Sequence, residues 1–339
     1  MKPLGGFVYD FSRYYYFQEV QMKIGIIGAT GLIGRTLLSL LRTSSFPVEI
    51  VYLTASERST GKEISFQNKS YKVETTSKTS LQKACDVVVV ASSAEVSSQW
   101  TSMTTSFAPW VIDISSFHRD DPSIPLVVPE INGYLIDEYS GIISNPNCST
   151  IQLVKSLYPI QQLFGLGKVI VSTYQSISGM GQNGINAFYE EKDKPIEQAP
   201  LSRNCIPYIG PIEEDGYCQE EWKMIRETQR ILSEDSLCIY PTSVRVPIEI
   251  SHGESVYVES KKCIEQNKLL QAYQKLPYIT YDDTLLLAMN AIHTNQVYVG
   301  RFRFCDSKAV QFWSVADNLL VGSVWNAYQI LTQLERRLK

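Results

Sequence analysis

Apolar positions along this chain follow two patterns, with the change near residue 168. In the first, short unbroken apolar runs alternate with amphipathic stretches. Lys23-Ile24-Gly25-Ile26-Ile27, Val48-Glu49-Ile50-Val51-Tyr52-Leu53, Asp86-Val87-Val88-Val89-Val90 and Trp110-Val111-Ile112-Asp113-Ile114 read as strands. Continuous apolar runs of this kind suit a parallel sheet covered on both faces. Arg35-Thr36-Leu37-Leu38-Ser39-Leu40-Leu41 reads as a helix between the first two. Strands alternating with helical stretches predict an α/β, doubly wound parallel sheet over residues 22 to about 145.

In the second pattern, Val169–Ser178, Ser243–Ile248, Glu254–Glu259 and Gln296–Arg303 are β-branched and spaced by turns. They predict a mixed or antiparallel sheet in an α+β domain over residues 146–318, with helices over 220–232 and 267–275. Residues 183–216 read as loop-rich, with Lys192-Asp193-Lys194-Pro195 as the exposed tip. The last helix, about 317–337, presents Leu319, Leu320, Val324, Ala327, Ile330, Leu331 and Leu334, with Ala316 just before it, on one face. It is expected to return to the first domain, which residues 319–339 would then complete.

Composition narrows the function. At 339 residues two domains are the natural expectation, and 44% hydrophobic with 19% charged residues is ordinary for a globular chain. A net charge of −4 offers no footing for nucleic acid or an anionic membrane surface. The seven cysteines are odd in number and form no CxxC pair, which argues against a disulfide scaffold or zinc ribbon and for a reducing cytoplasm. With three histidines and no clustered ligand spacing, no metal site is expected. No apolar run approaches the roughly 20 residues a membrane span needs. Residues 1–21 interrupt Tyr14-Tyr15-Tyr16-Phe17 with Asp10, Arg13 and Glu19 and do not form a secretory signal. They are expected to be a loosely held extension, or to precede a functional start at Met22.

Gly28, Gly31 and Gly34 stand between the first strand and its helix. That placement is typical of a Rossmann-type pyrophosphate turn: one glycine for the tight turn, one for backbone approach, one for helix–strand packing. The second strand ends in Thr54-Ala55-Ser56, followed by Glu57-Arg58-Ser59, rather than in a carboxylate for a ribose hydroxyl. Two hydroxyls and Arg58 suit a 2′-phosphate and favour NADP, provided Glu57 turns away.

Ser144-Asn145-Pro146-Asn147-Cys148-Ser149-Thr150 leads into an apolar helical stretch that Pro159 is expected to interrupt. Pro146 biases Asn145 away from helix, so the helix should start near Asn147 or Cys148. A thiol there has its pKa lowered from about 8.5 and could be a nucleophile; it could equally be a small buried packing residue. His252, expected just after a strand ending at Ile250, could be its acid/base partner or a structural histidine. Gln175 could orient an acyl oxygen or simply end a strand. Glu220 and Lys223 share a helix face and could take an amine and an anion, or form a solvated pair. Arg245 could clamp a carboxylate or sit in a buried salt bridge. Together these allow aldehyde/acyl redox chemistry through a covalent thiol intermediate beside a nicotinamide.

From about Met22 onward, the ordered set Gly28-Ala29-Thr30-Gly31, Pro125-Leu126-Val127-Val128-Pro129-Glu130-Ile131-Asn132, Asn145-Pro146-Asn147-Cys148-Ser149-Thr150, Ser172-Thr173-Tyr174-Gln175-Ser176, Glu220-Glu221-Trp222-Lys223-Met224, Arg245-Val246-Pro247 with His252, and Val315-Ala316-Asp317-Asn318-Leu319 resembles the aspartate-β-semialdehyde dehydrogenase family. The resemblance implies that Cys148 is the acyl-thioester nucleophile, His252 the acid/base and Gln175 the residue that aligns the acyl group. It implies that Arg245 binds the substrate α-carboxylate, Glu220 its amine, and Lys223 with Arg119 the phosphate. Thr30, Gly31, Leu32, Ile33, Arg58, Ser59, Ser178, Gly179 and Asn318 would line the NADP site. The implied reaction reduces aspartyl 4-phosphate to aspartate semialdehyde with NADPH and releases inorganic phosphate. The family usually forms a homodimer or homotetramer through the second domain. The rival activities are an N-acetyl-glutamyl-phosphate reductase type and a catalytically silent nucleotide-binding relative. Residues 1–21 have no counterpart in the family pattern.

Overall fold

The computed structural model describes residues 21–190, 195–196, 199–200 and 204–339. The expected extension, apart from residue 21, and the expected tip at 192–194 lie outside the described residues. Strands β1 (Met22–Ile27), β2 (Val48–Ala55), β3 (Glu74–Thr75), β4 (Val87–Val90), β5 (Trp110–Asp113) and β6 (Gly141–Ser144) form one sheet in the order β3-β2-β1-β4-β5-β6, and all its pairs are parallel. The strand order reverses between β1 and β4, where open α/β sheets leave a crevice beyond the strand ends. Helix α1 (Leu32–Thr43) follows β1 across the glycine turn, and α2 (Ala94–Thr104) follows β4. Gly28 adopts φ +88°, and a Cβ on it would lie 2.3 Å from the Ala91 carbonyl oxygen, so the two turns at the reversal meet only because this residue is glycine.

Strand β6 feeds directly into helix α3 (Cys148–Phe164), the link between the two halves. Helices α4 (Gly181–Glu190), α5 (Gln219–Leu232) and α6 (Gln266–Lys275) belong to the second half. Its sheet contains β7 (Leu166–Gln175), β8 (Cys238–Arg245), β9 (His252–Ser260), β10 (Ile279–Tyr281), β11 (Val297–Phe304) and β12 (Ala309–Ala316), in the order β8-β7-β9-β12-β11-β10. Pairs β8/β7 and β10/β11 are parallel and the others antiparallel, giving the mixed sheet expected. One core joins β1, β2 and α1 to Val324, Ala327, Ile330, Leu331 and Leu334 of the C-terminal segment, whose helix α7 spans Trp325–Glu335. A second core packs Ile151, Leu153, Val154, Leu157, Ile160 and Phe164 of α3 against the mixed sheet.

Several elements differ from the sequence-based expectation. Helix α3 runs through Pro159 to Phe164. A proline inside a helix costs about 3 kcal/mol, whereas each large apolar side chain buried by the continued helix returns about 1.5–3 kcal/mol. With Ile160 and Phe164 both buried beyond it, packing outweighs the missing hydrogen bond. Residues 183–190, part of the stretch expected to be loop-rich, lie in α4, because Ala187 and Phe188 pack against Ile177 and Ile206. The strand expected to reach Ile250 ends at Arg245, and His252 opens the next strand. Strand β12, at the centre of the mixed sheet, was not foreseen as a strand. The final helix starts later than expected, after a π-helical turn over Leu320–Val324. No helix among the described residues is long and apolar enough to cross a membrane.

Candidate active site

Pro146 and Asn147 set the start of α3. Asn147 is its N-cap, and its side-chain Oδ1 accepts from the backbone N–H groups of Ser149 (3.0 Å) and Thr150 (3.2 Å). Its own N–H donates to Glu227 (2.6 Å) and its Nδ2 to Glu220 (2.8 Å), so the turn is bolted to α5. Cys148 is therefore the first helical residue and opens into a cleft of about 690 Å³ between the two sheets. Gly322 of the π-helical turn lies against it: a Cβ there would stand 2.6 Å from the Cys148 Cβ. The irregular turn thus brings the C-terminal segment up to the thiol.

The Cys148 Sγ is 3.3 Å from His252 Nε2. The Ser176 N–H donates to His252 Nδ1 at 3.0 Å, which places the proton of a neutral imidazole on Nε2, facing the sulfur. Burial, then the Arg245 charge, pushes the His252 pKa down to about 3. Burial, then Glu220, pushes the Cys148 thiol up to about 12, with Arg119 and Arg245 pulling the other way. The lowered thiol pKa expected from the helix start is thus not what the structure gives. The Ser149 backbone N–H does favour the anion, but desolvation by the surrounding side chains is the larger effect. The pair is a neutral thiol facing a neutral imidazole.

The other expected residues converge on this pair. Gln175 ends β7, and its buried Nε2 donates to Glu220 and Thr173, each at 3.3 Å. Arg245 ends β8 alongside it in register, buried, with Nη1 donating to the Ser176 carbonyl at 2.8 Å. Burial alone would raise the Glu220 carboxyl, but Lys223 (3.3 Å), Asn147 and Arg245 hold it below its usual value. Arg119 is fixed by the Asn145 and Ile114 carbonyls (2.9 and 3.0 Å) and faces Glu227 at 3.4 Å. Leu32, Ile33, Ser178, Gly179 and Asn318 line the same cleft. The Asn318 amide joins the Ser176, Ser178 and Ser251 segments by hydrogen bonds of 2.9–3.1 Å.

Thr30, Gly31, Arg58 and Ser59 do not line this cleft. Thr30 bonds Ser59 (3.0 Å), which ties the glycine turn to the short turn Glu57–Ser59, on which Glu57 and Arg58 stand exposed. Sequence reasoning missed Asn147, Ser176, Glu227 and Gly322. Asn147 had a legible signal as an Asn immediately before a helix. The other three act through contacts made across 76, 80 and 174 positions of the chain, to His252, Asn147 and Cys148 respectively, and have no local signature.

Glu254, two residues after His252 in β9, is fully buried, and neither carboxyl oxygen has a hydrogen-bond partner. Burial raises its pKa well above 4.5. The folded chain holds it neutral while the unfolded chain ionises it, so stability present below pH 4.5 is lost as pH rises, by up to about 1.4 kcal/mol per pH unit. Glu254→Gln removes this loss. Urea unfolding of wild type and variant should show a stability gap that widens in favour of the variant from pH 4.5 upward; a gap independent of pH would contradict the buried neutral acid.

Two family descriptions match the chain: "Semialdehyde dehydrogenase, NAD binding domain" over residues 23–139 and "Semialdehyde dehydrogenase, dimerisation domain" over residues 157–321. Aspartate-semialdehyde dehydrogenase of Aquifex aeolicus is 36% identical over 327 residues, covering 91% of this chain and 96% of that protein. The chain belongs to the aspartate-semialdehyde dehydrogenase family. It is therefore an enzyme of the oxidoreductase class. The crystal structure of aspartate semialdehyde dehydrogenase II complexed with ASA from Vibrio cholerae is 35% identical, with a TM-score of 0.87 over 93% of this chain and 98% of that one. The fold is shared at 21% identity (TM-score 0.75, covering 93% and 99% of the two chains) by a structure of the enzyme from Candida albicans described with NADP.

Proposed function

We propose that this chain reduces L-aspartyl 4-phosphate to L-aspartate 4-semialdehyde with NADPH, reversibly, in the biosynthesis of lysine and diaminopimelate, threonine and methionine, in the cytoplasm. The observation that carries this reading is the 3.3 Å approach of Cys148 to His252 at the head of a helix opening into the interdomain cleft. The thiol sulfur attacks the acyl carbon, the C–O bond to phosphate breaks, and a thioester forms. Hydride from NADPH then reaches the same carbon, and the tetrahedral oxyanion expels the thiolate to leave the aldehyde. His252, held by Ser176 with its proton on Nε2, is the acid/base: it donates to the developing acyl oxygen and to the thiolate that departs. Desolvation raises the pKa of the thiol, so its deprotonation is coupled to attack, with the proton leaving on the departing phosphate, rather than completed beforehand.

Arg245 binds the α-carboxylate, Glu220 the ammonium, and Lys223 with Arg119 the phosphate. Gln175 aligns the acyl group between them. Leu32, Ile33, Ser178, Gly179 and Asn318 line the NADP site, and Thr30, Gly31, Arg58 and Ser59 extend it toward the 2′-phosphate. Cleft residues fit a dinucleotide: a helix N-terminus at Leu32 after a glycine turn offers its free N–H groups to a pyrophosphate. The working units are residues 22–145 with 319–339 for the nucleotide, and residues 146–318 for catalysis and dimerisation. A homodimer, or a tetramer built from it, would bury Ile170, Tyr174 and Tyr240, which stand 39–47% exposed on one face of the mixed sheet.

A buried, ionised Glu220 favours a free amine over the acetylated substrate of the N-acetyl-glutamyl-phosphate reductase type, because an amide offers no positive charge to it. Steady-state assay of the purified protein with each semialdehyde, phosphate and NADP tests this. Turnover is expected with aspartate semialdehyde. Turnover with the acetylated substrate alone would overturn the assignment, and none with either would favour a silent relative.

A further inference from the structure

The cleft at Cys148 is not closed on the side away from the nucleotide turn. Arg119 and Lys223, which line it, also line a second cavity of about 660 Å³, and Arg119 and Arg226 line a third of about 340 Å³ beyond. Helix α5 runs along all three. Glu220, Lys223, Glu227 and Arg230 follow one another at three- and four-residue spacing on one face, and Arg226 lies three residues from Lys223. At 1.5 Å per residue, Arg226 stands about 9 Å farther along the helix than Glu220.

The cations along this face are held differently. Arg119 is fixed by two carbonyls and Glu227, and Arg230 by the carbonyls of Arg119 and Ile124. The side chain of Arg226 is 57% exposed, and its nearest carboxylate, Asp120, is 3.7 Å away and itself 69% exposed. Its guanidinium lies over the Trp222 ring at 4.8 Å, which keeps it over the second cavity without occupying its donors. The same cavity is also lined by Asp120, Glu213, Glu214, Asp215 and Glu227. An anion in this vestibule is therefore held weakly, by a few cations among more numerous carboxylates, which suits a passing station rather than a trap.

We propose that Arg226 is an outer binding residue for the phosphate dianion, which engages it in the vestibule before Lys223 and Arg119 receive it beside Cys148, and which leaves by the same path. The inference rests on the activity proposed above only in naming phosphate as the ligand. A bidentate guanidinium contact, loosened by solvent and by the carboxylates of the lining, predicts an effect of about fivefold.

The test is Arg226→Gln, with inorganic phosphate as the probe in two measurements. In the semialdehyde-oxidising direction, KM for phosphate should rise about fivefold while KM for NADP and for the semialdehyde stay within about twofold. Arg226→Lys should recover most of the loss, and the difference should shrink as salt is raised. Titration of the folded protein with phosphate, followed by phosphorus-31 NMR, should show the same weakening without requiring turnover. Equal phosphate affinity in wild type and Arg226→Gln, or a parallel rise in all three KM values, would overturn the proposal. Phosphate binding that depends on Arg226 in a wild-type protein without turnover would support the station and overturn the activity instead.

Discussion

Cys148→Ser is expected to lower kcat by about four to six orders of magnitude, the range seen when a covalent nucleophile is removed. A serine hydroxyl is far less acidic than a thiol, and nothing in the site compensates. His252 is held below its ordinary pKa and presents a proton, not a lone pair, to the side chain at position 148. The substitution leaves the N-cap bonds of Asn147 and the contact with Gly322 in place, because both involve atoms common to the two residues. NADP binding, measured by fluorescence titration, should therefore stay within about twofold of wild type. Loss of cofactor affinity in the variant would mean that the cysteine serves packing rather than chemistry.

Lys155→Ala is expected to destabilise the fold by about 3–5 kcal/mol, the cost of stranding one member of a buried ion pair. Lys155 is a fully buried lysine two turns below Cys148 on α3, and its Nζ lies 2.7 Å from Glu130. Glu130 also accepts from Gln329 of α7 at 2.7 Å, so one carboxylate ties the catalytic helix to the C-terminal helix. Removing the lysine leaves that carboxylate without its cation and only 12% exposed. The double variant Lys155→Met with Glu130→Gln should recover a large part of the loss, since it removes both charges together. Urea unfolding of the two variants checks this. A Lys155→Ala protein as stable as wild type would show that the pair contributes nothing across this junction.

The alternation of strand and helix, the glycine turn and the apolar face of the last helix were legible because each is a local periodicity. So was the start of α3: Pro146 and Asn147 act on their immediate neighbours, and the helix begins where they say. The chemistry was legible by residue type only as candidates: a cysteine at a helix start and an arginine interrupting an apolar strand each had a packing or salt-bridge alternative. Resemblance to a family then joined those pieces into one reaction. Strand β12 escaped notice because Ala309-Val310-Gln311-Phe312-Trp313-Ser314-Val315-Ala316 gains its identity from pairing with β9 and β11 on either side. Helix α4 escaped because Gly181 and Gly184 argue against a helix that only Ile177 and Ile206 make favourable.

What the chain determined by itself was the class of fold and the kinds of groups available: local propensity and side-chain chemistry travel with the residue. What only the tertiary structure decided was their state. The thiol's proton affinity, expected to fall, rises because groups distant in sequence partly desolvate it and Glu220 opposes its anion. The proton of His252 faces sulfur because a backbone N–H from position 176 occupies the other ring nitrogen. Desolvation and charge depend on everything within a few ångströms, and those neighbours are chosen by the fold.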